Sequence, residues 1–174
     1  MRKQDKLRLF ELHSTDVKSL HAAFNKGDRR VQIQQADGYK NLKSQLPPQS
    51  RRGMVLVDPS YELEADYHNT IAAVKDGIKR FATGIYAIWY PVISKGSASQ
   101  LPERLCKLLP NAWLQVQLNV VAADNSGLTG SGLIVLNPPW KLHAHLTKSL
   151  PELRTLLQDD EGAGFILATS DDAG

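Results

Sequence analysis

An aspartate, a proline and a tyrosine lie close together directly after an apolar run. Residues 58–61 read Asp-Pro-Ser-Tyr and follow Met-Val-Leu-Val at 54–57. A base amine is a poor nucleophile, because its lone pair is delocalised into the ring. Asp58 and the carbonyl of Pro59 could accept its two N–H hydrogens, while Tyr61 stacks on a base turned out of its helix or loop. The pattern is therefore consistent with methylation of a base amine. An ordinary Asp-Pro turn followed by a packing tyrosine explains the four residues at least as well.

A second segment has a similar composition. Residues 137–140 read Asn-Pro-Pro-Trp and also follow an apolar strand. This segment matches the general Asn/Asp-Pro-Pro-aromatic pattern better, but it comes after the last main strand. Because a catalytic loop of this kind belongs to the central strand, we expect residues 58–61 to carry the chemistry. We expect the later segment to form a turn that packs Trp140.

Two further acidic residues follow predicted strands. Glu11 ends the first strand and Asp37 follows the second. In open α/β sheets, ligands bind beyond the carboxyl ends of the strands. Glu11, Asp37 and Asp58 are therefore candidates for one site, although any one of them is also explained as a solvated loop acid.

The elements that would position these residues alternate along the chain. Apolar periodicity and turn residues predict helices between successive strands, which indicates an α/β fold with a mostly parallel sheet and a closing antiparallel hairpin. The hairpin turn is placed at 124–127. Strands are predicted at 7–11, 30–34, 54–57, 85–90, 113–121, 133–136 and 165–169, and the strand at 54–57 is expected to be buried on both faces. Helices are predicted from Ser14 or Thr15 to Gly27, and at 39–46, 63–81, 99–109 and 142–157.

Composition sets broad limits on the class of protein. The chain has 174 residues, 42% hydrophobic and 22% charged, which suits one folded domain over 1–169 with a disordered tail at 170–174. No stretch reaches the roughly 20 apolar residues of a membrane span. Cys106, the single cysteine, suits a reducing cytoplasm and reads as a buried apolar residue. The net charge of +3 permits a nucleic-acid partner without requiring one.

Five longer blocks of the sequence have a specific pattern: 10–13 (Phe-Glu-Leu-His), 35–38 (Gln-Ala-Asp-Gly), 51–62, 79–91 and 131–141. Together they resemble one known family, the RlmJ family of bacterial 23S ribosomal RNA adenine-N6 methyltransferases. The resemblance covers the chain up to about residue 157. It implies a Rossmann-like class I methyltransferase fold in a cytoplasmic, single-domain monomer that binds S-adenosylmethionine and 23S ribosomal RNA, with neither metal nor membrane. Direct methyl transfer to adenine N6, without a covalent enzyme intermediate, would follow.

The resemblance also implies residue roles. Glu11 would bind the ribose hydroxyls of S-adenosylmethionine, and Asp37 and Gly38 would meet its adenine. Asp58 and the Pro59 carbonyl would hold the target amine, with Tyr61 stacked on the target base.

The sequence departs from the family in two respects. Ser60 stands where the family has a second proline, so we expect a looser loop and lower activity. The resemblance begins at the family's second strand, so the first strand, the Gly-rich cofactor turn and a helical subdomain have no counterpart, and we expect the chain alone to bind S-adenosylmethionine weakly or not at all. A DNA adenine methyltransferase and an inactive nucleic-acid-binding remnant remain alternatives.

Overall fold

The computed structural model describes residues 1–24, 27–94, 96–122 and 127–173. The chain divides into two compact units, Met1–Leu46 and Pro47–Gly174. A single domain over residues 1–169 stays a prediction. In the described part of the chain, no helix is long and apolar enough to cross a membrane.

The first unit is a β-α-β-α segment built on two parallel strands. β1 (Leu7–Glu11) pairs in register with β2 (Val31–Gln35), from Leu7 opposite Val31 to Glu11 opposite Gln35. Two helices, α1 (Ser14–Phe24) and α2 (Gly38–Gln45), follow these strands. The four predicted elements of this region are confirmed to within two or three residues at their boundaries.

The second unit contains a five-stranded sheet in the order β3-β4-β6-β5-β7. Its strands are β3 (Met54–Val57), β4 (Ile85–Val92), β5 (Trp113–Asn119), β6 (Gly130–Leu136) and β7 (Gly164–Thr169). Its α-helices are α3 (Glu64–Arg80), α4 (Ser97–Cys106) and α5 (Leu142–Leu157). Pro151 lies inside α5 without ending it.

Strand directions in this sheet are mixed, where the sequence predicts a mostly parallel sheet. β3 and β4 are parallel, whereas β4–β6, β5–β6 and β5–β7 are antiparallel pairs. The α/β class and the antiparallel pairing of β5 with β6 are confirmed. Of the hairpin turn predicted at 124–127, residues 124–126 lie outside the described residues.

The core of the second unit lies along its central strands. Tyr86, Ile88 and Tyr90 of β4 are almost fully buried, as are Ile134 and Leu136 of β6. Burial of a large apolar side chain contributes about 1.5–3 kcal/mol. Three helices add buried side chains to this core: Val74, Leu101, Leu105 and Leu150.

The prediction that β3 is buried on both faces is wrong for this structure. Val57 is buried, but Met54 is 66% exposed and Leu56 is 60% exposed. β3 is the last strand on its side of the five-stranded sheet. Because side chains alternate between the faces of a strand, Met54 and Leu56 lie together on the uncovered face.

The C-terminal segment carries regular structure where the sequence predicts a disordered tail at 170–174. A 3-10 helix covers Ser170–Ala173. The Asp172 carboxylate accepts hydrogen bonds from the Thr169 backbone N–H at 2.7 Å and from the Thr169 hydroxyl at 3.0 Å. This cap fixes the start of the helix at the end of β7.

Candidate functional site

Asp58 stands immediately beyond β3 with its carboxylate open to solvent. Among the described residues, none donates a hydrogen bond to this carboxylate or forms an ion pair with it. Partial desolvation raises the pKa of Asp58 from its ordinary value. An ionised carboxylate without partners retains its full capacity to accept hydrogen bonds from a ligand.

Pro59 ends the strand because it has no N–H to continue the β3–β4 ladder. Within the described chain, no backbone N–H donates to the Pro59 carbonyl. Ser60 beside it is exposed. The loop therefore presents two neighbouring acceptors, a carboxylate and a carbonyl. Neither accepts a hydrogen bond from another described residue.

Tyr61 anchors the loop to the protein. Its φ is +53°, an uncommon conformation for a residue with a large side chain. The hydroxyl donates to the Trp89 carbonyl at 2.8 Å, and the ring centroid lies 4.8 Å from that of Tyr67 and 5.9 Å from that of Trp89. Only 8% of Tyr61 is exposed. In this conformation the ring packs against protein, so stacking of Tyr61 on a base stays a prediction that requires the loop to open.

Glu11 and Asp37 lie at the carboxyl ends of two neighbouring parallel strands in the first unit. The Ala36 N–H donates to the Glu11 carbonyl at 3.0 Å, which joins the ends of β1 and β2. The Glu11 carboxylate accepts from the His13 backbone N–H at 2.7 Å. A carboxylate offers about four lone-pair sites, so Glu11 can still accept hydrogen bonds from hydroxyl groups.

Asp37 is the N-cap of α2. Its Oδ1 accepts from the Lys40 backbone N–H at 3.2 Å, and its Oδ2 lies 3.3 Å from the Lys40 Nζ. Asp37 therefore has a structural task that explains its presence at this turn. Gly38 is exposed, and a Cβ there would make an ordinary 3.6 Å contact with the Phe10 Cβ. A residue with a Cβ would therefore fit at position 38 without a steric clash.

The structure thus groups the six predicted residues into two sets. Glu11, Asp37 and Gly38 lie at the carboxyl ends of the two parallel strands of the first unit. The other set, Asp58, Pro59 and Tyr61, forms one loop of the second unit beyond the carboxyl end of β3. Both sets occupy the ends of parallel strands at which ligands bind in open α/β sheets.

The alternative segment at 137–140 lies at the opposite end of the five-stranded sheet. β6 is antiparallel to β4, and its last residue, Leu136, pairs with Tyr86 near the start of β4. The Asn137 side-chain amide donates to the carbonyls of Ala82 and Gly84, both at 2.8 Å. These two bonds use the amide to hold the chain, which supports the choice of residues 58–61.

The prediction that Trp140 packs against the protein is wrong, because 86% of the residue is exposed. The Lys141 Nζ lies over its ring, 4.6 Å from the ring centroid. Pro138 and Pro139 separate the anchored Asn137 from the indole, so the turn carries the ring away from the core.

The described residues give little support for a metal site or for a cysteine nucleophile. They contain no group of three or more His, Cys, Asp or Glu side chains arranged to hold a metal ion. Burial raises the pKa of the Cys106 thiol to about 11, which disfavours the reactive thiolate. The structure leaves Cys106 only partly buried, where the sequence predicts a buried apolar residue.

Sequence reasoning missed the residues that hold Tyr61. Trp89 supplies a backbone carbonyl and a ring, and Tyr67 supplies a second ring. Tyr67 is recognisable as an inward residue of α3, but a carbonyl has no sequence signature. Tyr61 and Trp89 are 28 residues apart, and only the folded chain brings them together.

Comparisons with known proteins identify the family to which the sequence is similar. A family model described as ribosomal RNA large subunit methyltransferase D, RlmJ, matches residues 1–166. The chain is 44% identical over 158 residues to ribosomal RNA large subunit methyltransferase J of Escherichia coli strain K12, covering 90% of this chain and 56% of that protein. It is 39% identical over 165 residues to the protein of the same name from Haemophilus influenzae, covering 94% and 58%. The chain therefore spans a little more than half the length of the curated relatives that it matches.

Two solved structures share the fold. A crystal structure from Legionella pneumophila superposes with a TM-score of 0.88 at 30% identity, covering 97% of this chain and 62% of that one. A proposed rRNA-methylase from Clostridium thermocellum gives a TM-score of 0.50 at 13% identity, covering 78% of this chain and 77% of that one. The likeness to the second structure bears on the fold alone, and it agrees with the Rossmann-like methyltransferase fold expected from the sequence.

Proposed function

The chain belongs to the RlmJ family of ribosomal RNA large subunit methyltransferases, and from this premise we propose that it carries the site that methylates N6 of an adenine in 23S ribosomal RNA. The observation that carries the proposal is the Asp58 carboxylate, which stands exposed beyond β3 without a partner among the described residues. Asp37 and Glu11, by comparison, already accept hydrogen bonds from the backbone.

Asp58 and the Pro59 carbonyl together match the two hydrogens of an exocyclic amine. With both N–H bonds directed to these acceptors, the nitrogen lone pair is turned toward the methyl donor rather than into the ring. The lone pair would form the new N–C bond as the sulfur–methyl bond of the donor breaks and leaves a thioether, and the nitrogen would then lose one proton to solvent. Preorganised acceptors of this kind stabilise the positive charge that develops on the nitrogen in the transition state.

S-adenosylmethionine is the methyl donor in this proposal, and it supplies the methyl group that N6 receives. Glu11 and Asp37 fit its polar groups, since each carboxylate keeps free lone pairs and both stand at the carboxyl ends of parallel strands. Glu11 would accept from ribose hydroxyls, and Asp37, with the exposed Gly38 beside it, would lie at the adenine. The enzyme would act as a cytoplasmic monomer.

Tyr61 would serve the target base in two ways. Its hydroxyl bond to Trp89 holds the loop, and its ring, once uncovered, offers a face for stacking. Stacking of a base on an aromatic side chain is worth about 1–3 kcal/mol. Opening of the loop would have to cost less than this for the base to bind.

The product of methyl transfer tests the proposed function. Unmodified 23S ribosomal RNA and duplex DNA are incubated with labelled S-adenosylmethionine and either this chain or a chimera in which it replaces the matched segment of the E. coli relative. We expect N6-methyladenosine in the RNA, detected by mass spectrometry of nucleosides. Methylated DNA with unmodified RNA would instead indicate a DNA methyltransferase, and no product from the chimera would overturn the proposal.

A further inference from the structure

Three loops meet at the end of the five-stranded sheet that is opposite to Asp58. The Ile85 N–H donates to the Gly53 carbonyl at 3.2 Å, which joins the loop before β3 to the start of β4. The Asn137 amide binds the carbonyls of Ala82 and Gly84, which joins the loop after β6 to the same place. We call the three segments 49–53, 79–84 and 137–141 the basic end.

The basic end has charge of one sign. Its three segments contain five basic residues and no acidic one, and all five are exposed: Arg51, Arg52, Lys79, Arg80 and Lys141. Arg80 pairs with Asp76 at 2.8 Å. The other four form no ion pair with any described residue. Four uncompensated cations on adjoining loops create a positive potential that attracts a polyanion.

The opposite end of the sheet has the opposite charge. Residues 58–66, which follow β3 and begin α3, contain four acidic residues and no basic one. A phosphate backbone would be repelled there, although the proposed target base has to reach Asp58. The charge that binds a nucleic acid must therefore lie elsewhere on the molecule, and within the second unit the basic end supplies it.

Trp140 adds a flat aromatic surface to these cations. It is more exposed than any other large apolar side chain among the described residues, at 86%. The Lys141 ammonium lies 4.6 Å from its ring centroid. Asn137, with φ of +52° and two hydrogen bonds to carbonyls, fixes the turn that presents the ring. An exposed ring next to a cation suits a nucleobase that stacks while its phosphate meets the cation.

We propose that the basic end is a second RNA-binding surface, where Trp140 stacks on an unpaired base and Arg51, Arg52, Lys79 and Lys141 contact phosphates. This inference rests on the proposed function, because it assumes that the ligand is RNA. β3 has four residues and spans about 13 Å at roughly 3.3 Å per residue, so one folded RNA can reach both ends of the sheet. The basic end holds the backbone while the base to be methylated lies at Asp58.

Salt-dependent RNA binding tests this surface. Affinity for a fluorescein-labelled RNA hairpin with an unpaired loop is measured across a range of salt concentrations. The fourfold variant Arg51→Gln, Arg52→Gln, Lys79→Gln, Lys141→Gln should bind at least tenfold more weakly at low salt. The slope of log affinity against log salt should become shallower by about 3, since each phosphate contact contributes about 0.7–0.9.

Two matched pairs of single variants locate the effect. Lys141→Gln should make the slope shallower by about 0.7–0.9, whereas Lys148→Gln, about 10 Å farther along α5, should leave it unchanged. Trp140→Ala should weaken binding about tenfold, whereas Leu156→Ala, which removes an apolar side chain that is 70% exposed, should not. All these side chains are exposed, and circular dichroism checks that each variant is folded.

The outcomes separate this surface from the proposed function. Equal affinity and slope in the fourfold variant and the wild type would overturn the second surface, whether or not the RNA is methylated. A loss of affinity in the basic-end variants, with unchanged affinity in Lys148→Gln and Leu156→Ala, would support it even if no methyl transfer were found.

Discussion

At the scale of single residues, three acids that look alike in the sequence have different surroundings in the structure. Asp37 caps α2, Glu11 accepts from the His13 backbone, and Asp58 has no partner in the described chain. The position of Asp58 beyond an apolar strand is predictable from the sequence, because Pro59, the next residue, cannot continue the strand. The burial of Tyr61 is not, since its partners Tyr67 and Trp89 belong to other elements.

Tyr61→Phe separates the anchoring role of Tyr61 from its stacking role. The variant loses the 2.8 Å hydrogen bond to the Trp89 carbonyl but keeps the aromatic ring. We expect the free energy of unfolding to fall by about 1 kcal/mol, the usual net worth of such a bond. Because the loop opens more easily, the KM for RNA should not rise. Urea denaturation and steady-state kinetics measure the two effects, and unchanged stability would contradict the anchoring role.

At the scale of elements, much of the secondary structure in both units follows from local sequence. The predicted bounds of β1, β3 and α5 match the structure, because apolar patterns and turn residues delimit them. Strand direction follows less readily. α5 carries the chain from β6 over β5 to β7, so β7 runs in the direction of β6 and is antiparallel to β5. The exposure of Met54 and Leu56 also cannot be predicted from local sequence. An apolar run is typical of a strand, but it does not determine which elements pack on that strand.

The contact between β4 and β6 gives a prediction about sheet stability. Gly132 of β6 faces Tyr90 of β4, and a Cβ at position 132 would overlap the Tyr90 ring. The ring cannot easily move, because its hydroxyl accepts from the Gln115 amide at 2.9 Å and donates to Gln117 at 3.0 Å. We therefore expect Gly132→Ala to lower the free energy of unfolding by about 1–3 kcal/mol.

Gly164→Ala is the control for this prediction. Gly164 lies in β7 of the same sheet, and a Cβ there would have no atom within 4 Å. The alanine should change stability little or raise it by a few tenths of a kcal/mol, since it restricts the unfolded chain. Chemical denaturation of both variants measures the difference, and equal effects would show that Tyr90 does not fill the space opposite Gly132.

At the scale of the whole molecule, the second unit separates its charges along the strands. Acidic residues follow β3 at the end where Asp58 stands, and basic residues collect at the opposite end with Trp140. The net charge of +3 conceals this separation, because it sums both ends. Pairing of β6 with β4 brings residues 51–52, 79–80 and 140–141 to one place, so the basic end emerges only from the topology.

The single-turnover rate of methyl transfer to 23S ribosomal RNA tests whether Asp58 holds the target amine. The rate is compared between Asp58→Asn and Glu62→Gln in the chimera with the E. coli relative. Glu62 is an exposed acid four residues farther along the chain. Asp58→Asn should slow transfer about a hundredfold or more, as for the loss of one preorganised group at a reacting centre. Its thermal stability should stay equal or rise, because desolvation disfavours the charged form of Asp58 and raises its pKa. Glu62→Gln should leave the rate within about twofold. A rate in Asp58→Asn that equals the rate in Glu62→Gln would contradict the claim that the carboxylate beyond β3 holds the amine.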